Sequence, residues 1–140
     1  MKRILTAATV LFFLAGCDSG DTSAEDTSRK FSVRYEASGT FLQPCNIIYI
    51  ARKSTVSADQ ENEGGQGFNL PSTLPWSYAF DVTVTERRPF NLYIGAVCGG
   101  GSATDMVEVR LFVDGVLRDS AQETDGVASP EAELQLTVAD

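Results

Sequence analysis

Apolar and polar side chains alternate along most of the chain beyond residue 30. In "KFSVRYEASG", Phe31, Val33, Tyr35 and Ala37 alternate with Ser32, Arg34, Glu36 and Ser38, the pattern of a strand with one buried face. After Pro44 the run "CNIIYIA" is too short for a helix and rich in β-branched residues, which suits a strand. From Ser77 onward Tyr78, Phe80, Val82 and Val84 alternate with Ala79, Asp81, Thr83 and Thr85. Glu86-Arg87-Arg88-Pro89 turns the chain into "FNLYIGAVC", whose Phe90, Leu92, Ile94, Ala96 and Cys98 share one face. Val107, Val109, Leu111 and Val113 lead into Asp114-Gly115, a pair suited to a tight type I′ hairpin turn. A last strand, "EAELQLTVA", would bury Ala132, Leu134, Leu136 and Val138. The pattern predicts an all-β domain, an immunoglobulin-like β-sandwich of about seven antiparallel strands. Antibody-type domains place a core tryptophan shortly after the first cysteine. Trp76 follows Cys45 at far greater distance, which does not support that subtype.

The N-terminus follows a different pattern. Lys2 and Arg3 precede an almost wholly apolar stretch, Ile4 to Leu14. It is well short of the roughly 20 residues that a membrane-spanning helix needs, and a basic start, short apolar core and small residues together match an export signal. Its ending, Leu14-Ala15-Gly16-Cys17, resembles the lipobox of bacterial lipoproteins. That resemblance implies cleavage between Gly16 and Cys17 and a covalent lipid on the Cys17 thiol; two or three acyl chains suffice for stable anchoring. An ordinary signal peptide with Cys17 as a bystander, or an uncleaved anchor, are the alternatives. All three put the domain outside the cytoplasm, in the cell envelope. Asp18 is a retention signal for the inner membrane in enterobacteria but not in every bacterial group, so it does not fix the leaflet.

This reading divides the chain into a signal peptide (1–16), a lipidated cysteine with a flexible acidic tether (17–30) and a β-sandwich (31–140). "DSGDTSAEDTSRK" has Ala24 as its sole apolar side chain, and such a segment cannot bury a core. The formal net charge of −8 becomes more negative once Lys2 and Arg3 are removed. That balance argues against nucleic acid, which is bound largely through Lys and Arg, and leaves lipid rather than charge to hold the protein at a membrane. With Cys17 lipidated, Cys45 and Cys98 form an even pair. In an exported domain they suggest a disulfide, two buried thiols being the alternative.

Candidate chemistry is sparse. The chain has no histidine, which removes Ser-His-Asp and Cys-His nucleophilic pairs and His-based proton transfer. No catalytic residue is assigned, and no enzyme activity is expected. Asp59, Glu61 and Glu63 before Gly64 mimic the opening of a calcium loop, but the twelfth position is Leu70; a solvated acidic loop is the expectation, with no metal and no cofactor beyond the lipid. Trp76 in "LPWS" suits either a binding anchor or, as preferred, the closure of one end of the core. Arg87 and Arg88 are read as solvated, and Gly99 to Gly101 as a mobile tip.

Four landmarks fall in order: "VRYEASGT" (33–40), "IIYIARKS" (47–54), "LPSTLPWSYAF" (70–80) and "VEVRLFVDGVL" (107–117). Together they resemble the extracytoplasmic domain of the MmpS-like family, membrane-tethered proteins known from mycobacteria and relatives. The resemblance covers roughly 31 to 138 and implies a β-sandwich that assists a large proton-driven membrane transporter exporting lipids or siderophores. Where the mycobacterial proteins carry a transmembrane helix, this chain carries the lipobox. The expected role is a membrane-anchored, non-catalytic interaction or accessory module. A carrier of an apolar small molecule and a stand-alone structural envelope protein are the alternatives.

Overall fold

A computed structural model describes residues 27–51 and 66–140. Eight strands run in chain order: β1 (Ser28–Gly39), β2 (Cys45–Ala51), β3 (Gln66–Ser72), β4 (Trp76–Thr85), β5 (Phe90–Val97), β6 (Met106–Val113), β7 (Val116–Thr124) and β8 (Glu131–Leu136). They form two four-stranded sheets, β4-β1-β6-β7 and β3-β2-β5-β8, with every pairing antiparallel. No helix occurs among the described residues. The domain is a β-sandwich.

The alternation read from the sequence is the alternation of the fold. Phe31, Val33, Tyr35 and Ala37 of β1 are buried, as are Val107, Val109, Leu111 and Val113 of β6. From the other sheet Cys45, Ile47, Tyr49 and Ala51 of β2 meet Leu92, Ile94 and Ala96 of β5 in the same core. No charged or polar residue is buried among the described residues, so the core is held by apolar burial and the ladder hydrogen bonds. Asp114 and Gly115 both have positive φ, 51° and 79°, as a type I′ turn requires. Asp114 also accepts the Ser32 amide at 2.9 Å and donates its own amide to the Ser32 carbonyl at 2.8 Å. The turn is thereby tied to β1.

Two elements differ from the expectation. β1 begins at Ser28, so Ser28, Arg29 and Lys30, placed in the tether by their polarity, pair with Thr85, Val84 and Thr83. Sheet pairing of the backbone overrides side-chain polarity there. β3 was not expected, because the stretch 59–70 reads as a solvated acidic loop and a strand interior disfavours residues such as Gly67 and Pro71. It lies at a sheet edge, where a missing N–H and a flexible residue are tolerated.

Candidate functional site

The side chains that join the two sheets near β3 and β4 are aromatic. β3 and β4 are edge strands, β3 beside β2 and β4 beside β1. Between them the Tyr49 ring lies 5.1 Å from each of Phe68, Trp76 and Tyr78. Tyr78 leads on to Phe80 at 5.8 Å, and Phe80 to Phe90 at 6.3 Å. These centroid spacings are those of favourable aromatic pairs. Phe68, Trp76, Tyr78 and Phe80 are half-buried and packed on the core. Trp76 therefore belongs to the core margin, half-buried and packed on the core. Period-two alternation sets Tyr78 and Phe80 on one face, and the structure adds Trp76 to it. Phe68 was missed, although its alternation with Leu70 was a signal.

Tyr35 crosses from one sheet to the other. The β2–β5 ladder runs from Asn46↔Val97 to Tyr49↔Ile94 and stops there. At that point the Tyr35 hydroxyl donates to the Ile50 carbonyl at 2.7 Å and accepts the Tyr93 amide at 3.3 Å. One phenol thus replaces the missing rung. Burial raises its pKa far above the usual tyrosine range, so it remains a neutral donor. Beside it a groove of about 660 Å³ opens, lined by Ile50, Asn91, Tyr93, Glu133 and Gln135. The Tyr93 phenol is also pushed up, first by burial, then by its hydrogen bond to Glu131 and the charges of Glu131 and Glu133. An isolated tyrosine hydroxyl within a hydrophobic alternation is a legible sign of such a bridge, but the sequence does not name its partners.

Cys45 and Cys98 are joined, with Sγ atoms 2.05 Å and Cα atoms 4.4 Å apart. Cys98 directs its N–H and C=O to Ala128, at 2.9 and 3.1 Å. Toward β2 it therefore faces Cys45 across a non-hydrogen-bonded position, where antiparallel Cα atoms approach to about 4.5 Å. The bridge lies within one sheet, next to the Asn46↔Val97 pair, whereas the antibody-type bridge joins two sheets.

Of Gly99 to Gly101, read as a mobile tip, all three are exposed, and Gly101 is hydrogen-bonded and closely packed. The Gly101 amide donates to the Gly126 carbonyl at 3.2 Å, and a Cβ on Gly101 would lie 2.6 Å from the Phe41 ring. Asp105 closes the same loop. Its carboxylate accepts the Ser102 amide at 2.6 Å and the Thr40 hydroxyl at 3.1 Å, and these bonds, Ser102 first, hold its pKa below the ordinary carboxylate value. Such a depressed group contributes order above the unfolded-state pKa and loses it as pH falls through the folded value. Amides of Gly101 and Ser102 should therefore lose hydrogen-exchange protection in acid, and Asp105→Asn should lower that protection at neutral pH. Unchanged protection in both would show that the carboxylate does not hold the loop.

Arg87 and Arg88 are exposed in the β4–β5 turn, in keeping with the solvated reading. Gly16, Cys17 and the calcium-like Asp59, Glu61 and Glu63 lie outside the described residues. Among the described residues no cluster of acidic or sulfur side chains is arranged to hold a metal. What the arrangement offers is contact chemistry: aromatic faces, aliphatic edges and tyrosine hydroxyls. No family model matches the chain, and neither does any curated protein.

Proposed function

We propose that this protein is a membrane-anchored bacterial lipoprotein whose β-sandwich works outside the cytoplasm as a non-catalytic interaction or accessory module. One observation carries the reading. Cys45 and Cys98 are bonded to each other, which leaves Cys17, directly behind an export-type apolar core, as the remaining thiol of the three cysteines. Disulfides persist in oxidising compartments, and the lipobox-like Leu14-Ala15-Gly16-Cys17 leads there. The lipid is the covalent group this reading requires, with no other cofactor. The ordered MmpS-like motifs support a transporter as the partner. The half-buried aromatic margin favours a second reading, a carrier for an apolar small molecule.

Cys17→Ser tests the anchor. The wild type should partition with membranes and carry acyl mass on Cys17, while the variant should appear in the soluble fraction or as an unprocessed precursor. Membrane retention of a cleaved Cys17→Ser form would sink the proposal. Mild crosslinking in native membranes separates the roles: recovery of a large multi-pass transporter supports the accessory reading. Recovery of the protein alone moves the assignment to the carrier or to a stand-alone envelope role.

A further inference from the structure

The four sheet edges are not equally protected. Edge strands expose unpaired backbone groups, and proteins blunt them with proline, glycine, charge, bulges or short length. β3 carries Gly67 and Pro71. β7 carries Arg118 and Asp119, and its pairing with β6 is broken by a bulge. β8 is the shortest strand, has Glu131 and Glu133, and its Glu133 amide is taken by the Asp119 carboxylate at 2.9 Å. β4 has none of these apart from one charge. It is ten residues long, "WSYAFDVTVT", without Pro, Gly, Lys or Arg. Its single charge, Asp81, is neutralised by Lys30 at 2.8 Å.

The direction of the free backbone groups on β4 follows from its last residue. Thr85 turns both its N–H and its C=O to Arg88, at 3.4 and 3.0 Å, away from β1. Backbone groups alternate in direction along an antiparallel strand, so Thr83, Asp81, Ala79 and Ser77 also turn theirs outward. No described strand pairs with that edge, and the side chains of these four residues are exposed.

We propose that the β4 edge pairs antiparallel with the β4 edge of a second copy of this chain, the two-fold axis passing at Phe80. The register is set by the four outward residues. With Phe80 opposite itself, Ala79 faces Asp81 of the second copy and Ser77 faces its Thr83. Every outward N–H and C=O of the four is then satisfied, which a shift of the pairing in either direction does not achieve. The same register is self-complementary in side chains. On the inner face Trp76 meets Val84 and Tyr78 meets Val82, aromatic with β-branched, the kind of cross-strand pair that stabilises sheets. On the outer face no two like charges stand directly opposite. The two Asp81 carboxylates are diagonal neighbours, about 7–8 Å apart, each beside its own Lys30. A two-fold contact of this kind closes on itself and stops at a dimer.

The inference does not depend on lipidation. It is tested by sedimentation of the full-length protein in density-matched detergent, with two variants at one exposed position. Ala79→Asp puts a carboxylate opposite Asp81 twice across the axis, while in each copy the new carboxylate faces Arg34 of β1, which preserves the fold. Ala79→Lys puts an opposite charge there; it also stands opposite Arg34 of its own copy, so its fold is checked by circular dichroism before sedimentation. The wild type should sediment as a dimer, Ala79→Asp should weaken it on the order of tenfold, and Ala79→Lys should keep it. A monomeric wild type, a dimer that Ala79→Asp leaves intact, or equal loss in both variants would overturn the proposal.

Discussion

Replacing Cys45 and Cys98 together by alanine should lower the thermal unfolding midpoint by about 10 °C. The bridge closes a loop with a sequence separation of 53, and the chain-entropy argument assigns a loop of that size about 4 kcal/mol, with typical measured values of 2–4 kcal/mol. Both half-cystines are essentially inaccessible, at 0% and 1% exposure, so the substitution also removes buried sulfur from a packed core and adds a small cavity cost. The bridge ties β2 to β5 at the end of their ladder where the Phe41 and Gly99–Gly101 loops meet. Its loss should therefore be felt first as faster amide exchange in Cys98 to Gly101. Calorimetry of the double variant against the wild type reads the effect directly. A midpoint within a degree or two would mean that packing and pairing alone hold that end.

Tyr35→Phe should destabilise the domain by about 1–3 kcal/mol, because it leaves two groups unsatisfied at once. The hydroxyl serves the Ile50 carbonyl and the Tyr93 amide, and these sit where the β2–β5 ladder ends. Phenylalanine keeps the ring and its contacts with Tyr49 and Phe80 at 6.1 and 5.6 Å, so the change isolates the hydrogen bonds from the packing. Chemical denaturation should show a lower midpoint with an unchanged slope, since the same surface is exposed on unfolding. The raised pKa of Tyr35 adds a second observable. A folded pKa above the unfolded value means the neutral phenol is the favoured form, so the native state should lose stability in strong alkali as pH rises beyond the unfolded tyrosine value. Tyr35→Phe should remove that part of the alkaline loss. A variant as stable as the wild type would show that water replaces the hydroxyl at both partners.

The sandwich was legible in the chain because a strand with one buried face must alternate, as β1 does from Phe31 onward and as β4 and β6 do in their burial. The Asp114-Gly115 hairpin was legible for a related reason, since both residues tolerate the positive φ that the turn imposes. The inward placement of Cys98 followed from its phase with Phe90, Leu92, Ile94 and Ala96. These are local properties, and local sequence determines them. The proposed anchor at Cys17 rests on sequence alone, on a motif and not on the fold.

Tertiary structure decided the rest. The extension of β1 back to Ser28 and the existence of β3 depend on partner strands that offer hydrogen bonds, which overrules polar, glycine or proline character. That Cys45 and Cys98 share one sheet depends on β2 and β5 being neighbours, a fact of topology that no spacing encodes. The role of Tyr35 as a missing rung needs two strands that part at Ile50 and Tyr93. The tight packing of Gly101 on Phe41 needs loops brought together from distant parts of the chain. The half-buried aromatic margin and the β4 edge that no described strand pairs with arise in the same way: alternation says which side chains point inward, but only the order of strands in the sheets says which strand is left at the edge.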